Sequence, residues 1–137
     1  MKLLIDTNII LDFLQKREPY YEDASAIFQL SVDNEVIECV TASSITDIYY
    51  LVNKEFKDVK KTKERIQDLL ELITILDVTN KDIQDAIRSE WKDFEDSLQY
   101  IVALHNSVDA IITRNTKDFS KSSIPIYSPK EFLNFIK

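Results

Sequence analysis

The sequence MKLLIDTNIILDFL (residues 1–14) begins with an apolar run that stops at Asp6-Thr7-Asn8 and resumes at helical spacing. This pattern predicts a buried strand over residues 1–5, followed at once by a helix. Asp, Thr and Asn are all preferred as helix caps, so any of the three suits that role. An apolar strand that delivers a carboxylate to the edge of a sheet also suits a metal ligand. This segment alone does not decide between the two interpretations.

The same alternation of strand and helix continues to the end of the chain. Further strands are predicted at 36–42, 73–78, 109–113 and 124–127. Helices are predicted at 20–32, 45–54, 59–72, 80–89 and 93–105, and Ser128, Pro129 and Glu131 mark the start of a last one. Right-handed crossovers between such strands produce a mostly parallel sheet. We therefore expect a single three-layer α/β/α domain over residues 1–137, with four or five strands and the Pro125 strand at an edge.

Composition limits the function classes. The formal net charge of −7 argues against a general polyanion-binding surface, unless the acids gather at a site that cations neutralise. The chain has no glycine, which excludes the glycine-rich P-loop and the dinucleotide-binding fingerprint. The one cysteine allows no internal disulfide, and no secretory signal or membrane-spanning run is apparent. We expect a soluble, cytoplasmic protein.

Acidic residues recur at the edge of the sheet where the fold predicts a ligand-binding site. Ligands of open α/β sheets bind beyond the carboxyl ends of the strands, which is where Asp6 lies. The strand at 109–113 likewise ends at Thr113, and Asn115 and Asp118 follow, although Asn and Asp are also common turn residues. Asp96 is expected in the first turn of a helix that Asp93 caps.

Two further predictions concern helices near this edge. Asp47 lies one turn into the helix after the second strand, where an ordinary first-turn acid is a strong alternative. The helix at 93–105 is predicted to bury Phe94, Leu98, Ile101 and Val102, with Asp96, Tyr100 and Ala103 on the opposite side.

Gathered carboxylates raise one another's pKa unless cations intervene. Hard oxygen ligands suit Mg²⁺ or Mn²⁺, which can activate a water and neutralise charge on a phosphoryl group. The acidic residues therefore predict a divalent-metal site that handles phosphodiesters, with Asp6 as a ligand and water as the nucleophile.

The order strand–DTN (6–8), Asp47, DFEDSLQ (93–99) and ITRNTKDF (112–119) resembles the PIN domain family, close to its VapC-type toxins. The resemblance covers nearly the whole chain and implies a metal-dependent endoribonuclease, an RNA substrate, a homodimer and a small antitoxin partner. The matching acidic positions are Asp6, Asp47, Asp96 and Asp118, and we expect Asp6, Asp96 and Asp118 to bind the metal. Residues expected to contact substrate or support the ligands are Thr7, Asn8, Thr113, Arg114 and Asn115. Two positions depart from the family, because Asp47 replaces a common Glu and Asn115 a common Asp.

Two other functions fit parts of the pattern. A haloacid-dehalogenase-type phosphatase also begins with an Asp after its first strand, but it needs a second Asp where this chain has Asn8. A non-catalytic binding module of the same fold would use the acidic surface for protein contacts. His105, the single histidine, is expected to be structural. Two basic stretches could contact the phosphates of an RNA backbone, one at residues 57–65 and one comprising Arg114, Lys117 and Lys121. The first stretch is better explained as the solvent-exposed start of a helix.

Overall fold

The computed structural model describes residues 1–137 and contains one five-stranded sheet between two layers of helices. The strands are β1 (Lys2–Ile5), β2 (Ile37–Thr41), β3 (Thr74–Leu76), β4 (Ala110–Ile112) and β5 (Ile126–Tyr127). Their order is β3-β2-β1-β4-β5, and every neighbouring pair is parallel. The predicted three-layer α/β/α architecture is confirmed, and the short β5 occupies an edge.

Seven α-helices connect or follow the strands. They are α1 (Thr7–Leu14), α2 (Tyr21–Val32), α3 (Ala42–Phe56), α4 (Val59–Leu70), α5 (Asn80–Arg88), α6 (Phe94–His105) and α7 (Pro129–Phe135). Helix α3 begins directly after β2, three residues before the predicted start. A short 3-10 helix, Thr116–Phe119, follows β4 and was not predicted. None of the helices combines the length and apolarity needed to cross a bilayer.

Alternating side chains of the strands fill two cores. Leu3 and Ile5 face a core that also contains residues of α1, α2, α3, α4 and α7, whereas Leu4 faces α5 and α6. The predicted face of α6 is confirmed in part, because Leu98 and Val102 are buried, but Phe94 and Ala103 need a correction. Ala103 is fully buried beside Leu98, while Phe94 is 46% exposed. Helix α6 is therefore rotated relative to the prediction, because its small Ala103 packs against the second core.

The order of the strands creates the crevice in which the acidic residues gather. From β1 the chain steps outward to β2 and β3, and it then crosses to the other side of β1 to form β4. The connections that leave β1 and β4 therefore diverge above the carboxyl ends of these two strands, which is where ligands bind in open α/β sheets. Asp6 directly follows β1, and its backbone N–H donates to the carbonyl of Ile112 at 3.0 Å.

Candidate active site

Asp6 is the best-fixed carboxylate of the crevice. Its side chain does not cap α1; instead, it is 5% exposed and accepts two hydrogen bonds. The Thr113 hydroxyl donates to Oδ2 at 2.7 Å, and the Gln99 amide donates to Oδ1 at 3.1 Å. Thr113 Oγ1 in turn accepts the backbone N–H of Asn115 at 3.0 Å. Gln99 of α6 and Thr113, directly after β4, thus hold the Asp6 carboxylate in a single orientation.

Helix α6 brings more acids to the same place. Asp93 caps the helix and accepts the backbone N–H of Asp96 at 2.9 Å, as predicted from the sequence. This cap places Asp96 and Glu95 in the first turn, where the helix dipole favours negative charge. Gln99, one turn later, is 1% exposed, and its Oε1 has no hydrogen-bond partner.

These side chains line a cleft of about 390 Å³. Its acidic lining consists of Asp6, Asp47, Asp93, Glu95, Asp96 and Asp118, and its other lining residues are Thr7, Asn8, Leu11, Tyr50, Leu51, Gln99 and Asn115. The structure therefore brings together all four aspartates expected at the acidic positions. Asp47 lies on α3 and is exposed, whereas Asp118 lies on the 3-10 helix that follows Asn115.

The cleft carries negative charge that no cation of the protein balances. None of its six acidic side chains forms an ion pair. Burial, together with the charges of Asp93, Asp6, Asp118 and Glu95, raises the pKa of Asp96 to about 7. The pKa of Glu95 is also raised, first by burial and then by the nearby carboxylates of Asp47 and Asp6.

The chemistry of this lining fits a hard divalent cation. Mg²⁺ and Mn²⁺ prefer carboxylate oxygens, and a bound cation would relieve the repulsion that raises the pKa of Asp96. No group of three or more His, Cys, Asp or Glu side chains is arranged so that it could hold a metal ion as the side chains stand. The acidic residues of the cleft are thus suitable ligands by chemical type, but some of their side chains would have to turn toward the ion to bind it.

A hydroxyl network supports the start of α1. Thr7 Oγ1 donates to Ser44 Oγ at 2.9 Å, and Ser44 Oγ lies 2.9 Å from Thr41 Oγ1. All three residues are buried. The network joins the amino termini of α1 and α3 and so fixes the wall of the cleft that contains Asn8 and Asp47.

Arg114 lies outside the cleft, although the sequence placed it with the substrate contacts. Its guanidinium pairs with the fully buried Asp12, with Nε 2.7 Å from Oδ2 and Nη2 3.2 Å from Oδ1. It also lies over the ring of Tyr20, 3.9 Å from the centroid. The side chain thus neutralises a buried acid of α1 and does not line the acidic cleft.

His105 also lies away from the cleft. Its Nδ1 contacts Asp82, and its Nε2 is 3.4 Å from Asp85 Oδ2, so the ring joins α6 to α5. This position agrees with the structural role expected for it. Sequence reasoning missed Gln99 and Ser44, which orient Asp6 and Thr7. The spacing of Gln99, three residues after Asp96 on one helix face, was the available signal for it.

The chain is similar to proteins of known family. A family model described as PIN domain matches residues 2–117. Ribonuclease VapC1 of Aquifex aeolicus (strain VF5) is 25% identical over 136 residues, which cover 96% of this chain and 92% of that protein.

Solved structures share the fold. The crystal structure of VapBC2 from Rickettsia felis bound to a DNA fragment from its promoter aligns with a TM-score of 0.69 and 18% identity, covering 93% of this chain and 98% of the other. A toxin-antitoxin complex from Klebsiella pneumoniae aligns with a TM-score of 0.66 and 23% identity, covering 93% and 97%.

Proposed function

Because this chain belongs to the PIN domain family, we propose that it is a metal-dependent endoribonuclease that hydrolyses RNA phosphodiester bonds. The observation that carries the proposal is the cleft at the carboxyl ends of β1 and β4, where six acidic side chains meet without a balancing cation. The choice of RNA is supported by the similarity to a protein named Ribonuclease VapC1.

Asp6, Asp96 and Asp118 are the proposed metal ligands, and Asp47 contributes a fourth acidic group from α3. Bound Mg²⁺ or Mn²⁺ would supply a Lewis acid that makes water a better nucleophile at neutral pH and offsets negative charge on the phosphoryl group. Asp118 and Asn115 belong to one turn, because Asp118 N–H donates to the Asn115 carbonyl at 3.0 Å.

The other polar residues position these acids. Thr113 and Gln99 leave Asp6 a single orientation, and Thr7 fixes the start of α1 through Ser44. The amides of Asn8 and Asn115 lie on the cleft wall, where they can donate to phosphate oxygens. Water is the proposed nucleophile. Attack by Asp6 itself is disfavoured, since the amide of Asn8 cannot act as the general acid that would protonate a leaving group.

We extend the proposal to the biological setting. The likeness to a toxin-antitoxin complex supports a role as the toxin of such a pair, with a small antitoxin protein as partner. A homodimer, a cytoplasmic location and a single domain over residues 1–137 complete the proposal.

Cleavage of a structured RNA, with single-stranded DNA as the competing substrate, tests the function. Wild-type protein should cut the RNA with Mg²⁺ or Mn²⁺, and EDTA should abolish cutting. Asp96→Asn should lose at least about a hundredfold in rate, on the order of one strong electrostatic contribution to a transition state. Asp68→Asn, which removes an exposed carboxylate of α4, is the matched control and should keep full activity.

Three results would overturn the proposal. Cleavage that persists in EDTA contradicts metal dependence. Equal rates for Asp96→Asn and Asp68→Asn place the activity outside the cleft. A folded wild-type protein that cuts neither RNA nor DNA with either metal favours the non-catalytic binding module.

A further inference from the structure

A second groove of about 360 Å³ adjoins the acidic cleft. Asp93, Asp96 and Asp118 line both, so the two spaces share a wall. The remaining lining residues of the groove are Trp91, Lys92, Lys117, Ser120 and Lys121. We call it the lysine groove. It is formed by the segment before α6 and by the 3-10 helix Thr116–Phe119 with the residues that follow.

The lysine groove supplies the cations that the acidic cleft lacks. No Lys or Arg lines the cleft, whereas three lysines line the groove. The side chains of Lys92 and Lys117 form no hydrogen bond, ion pair or cation–π contact with the protein, and Lys121 Nζ donates to the Glu90 carbonyl at 3.0 Å. At least two ammonium groups are therefore free to bind a ligand at the edge of the metal site.

The wall that carries Lys92 is rigid. The Trp91 ring stacks on Tyr100 with the ring centroids 4.8 Å apart, and it meets Phe119 edge-on at 5.6 Å. Phe119 is 1% exposed and belongs to the core that faces α5 and α6. These contacts tie the residue before Lys92 to the 3-10 helix that carries Lys117, so the two backbone segments that carry these lysines are held next to one another.

We propose that the lysine groove binds the phosphate backbone of the RNA strand beside the bond that is cut, and that Lys92, Lys117 and Lys121 are its phosphate contacts. The inference rests on the proposed function, since the same strand must reach the acidic cleft. A protein with net charge −7 repels RNA over most of its surface. Cations next to the cleft offset that repulsion where the strand must enter, and they fix on which side of the cleft it lies.

The other basic surface of the chain provides the control. Lys60 and Lys63 are exposed on α4 and line neither the cleft nor the groove. Changing them removes the same charge from a different face. The double variants Lys92→Ala/Lys117→Ala and Lys60→Ala/Lys63→Ala therefore separate a local contact from the effect of net charge.

Steady-state RNA cleavage is measured for wild type and both double variants across a series of KCl concentrations. Lys92→Ala/Lys117→Ala should raise KM on the order of tenfold, with a smaller change in kcat, because the lysines bind phosphates outside the reacting bond. Its plot of log(kcat/KM) against log[KCl] should become shallower by roughly 0.7 for each phosphate that the variant no longer neutralises. Lys60→Ala/Lys63→Ala should match wild type in both quantities.

Failure of the inference and failure of the proposed function give different results. If the wild-type protein does not cut RNA, both the proposed function and the lysine-groove inference are refuted. If the wild-type protein cuts RNA and Lys92→Ala/Lys117→Ala has the same KM and the same salt slope, only the lysine-groove inference is refuted. Equal losses in both double variants mean that overall charge accounts for the effect, which also overturns the groove. A larger loss of kcat/KM in Lys60→Ala/Lys63→Ala would show that the RNA binds at α4 and would refute the lysine groove.

Discussion

Replacing Thr113 with Val should loosen the carboxylate on which the acidic cleft is built. Thr113 is fully buried, and its hydroxyl donates to Asp6 Oδ2 at 2.7 Å while accepting the Asn115 N–H at 3.0 Å. Valine has nearly the same shape, so the variant removes the two hydrogen bonds and leaves little cavity. Asp6 would keep only the amide of Gln99 as a partner.

The expected loss of stability follows from these contacts. A hydrogen bond to a charged group contributes about 1.5–3 kcal/mol, and the bond to Asn115 adds about 1 kcal/mol, part of which water restores at this exposed residue. The extra buried methyl group of valine offsets about 0.8 kcal/mol. The free energy of unfolding should therefore fall by about 2 kcal/mol.

Urea unfolding followed by circular dichroism measures this change. Thr74→Val is the matched control, because Thr74 is exposed on the edge strand β3 and its side chain forms no hydrogen bond with the protein. It should change the free energy of unfolding by less than about 0.5 kcal/mol. A loss for Thr113→Val that is no larger than that of Thr74→Val would refute the role of Thr113 in holding Asp6.

Two further predictions concern buried acidic side chains outside the cleft. Glu38 on β2 is 1% exposed, neither of its carboxylate oxygens has a partner, and burial raises its pKa from 4.5 to about 8. The folded protein thus keeps a proton that the unfolded chain releases, so the free energy of unfolding should fall as the pH rises from 4.5 to 8, by about 3 kcal/mol at pH 7. Glu38→Gln should flatten this decline, which urea unfolding at several pH values measures. An unchanged decline in the variant would contradict the raised pKa of Glu38. Arg114→Met should cost about 2–3 kcal/mol, because it removes the bidentate partner of the fully buried Asp12 and leaves only Arg17, whose Nη1 is 4.0 Å from Asp12 Oδ1. A cost below about 1 kcal/mol in the same assay would show that the pair is dispensable.

Local patterns predicted the fold because each element is recognisable within a few residues. The run 1–5, the break at Asp6 and the capping box of Ser128 and Glu131 all appear in the structure as expected. The start of α3 and the 3-10 helix Thr116–Phe119 were missed. Thr41, Ser43 and Ser44 are all preferred helix caps, so the sequence does not say which of them begins α3, and a four-residue helix is too short to show a period.

The site was predicted less completely because it depends on contacts between distant segments. The parallel-sheet rule correctly gathered Asp6, Asp96 and Asp118 at one edge. It could not show that Arg114 turns toward Asp12, since those residues are 102 positions apart in the sequence. The spacing of Gln99 from Asp96 was a local signal for the residue, but its bond to Asp6 could not be predicted, because Asp6 lies 93 positions away.

Binding of Mn²⁺ tests the central claim most directly, namely that the acidic cleft is a divalent-metal site. Isothermal titration calorimetry on the folded wild-type protein should detect at least one Mn²⁺ per chain. Asp6→Asn and Asp96→Asn should each weaken binding by at least about tenfold, while Asp68→Asn on α4 should bind as wild type does. Absence of measurable Mn²⁺ binding to the folded wild-type protein, or equal affinity in all three variants, would contradict the account.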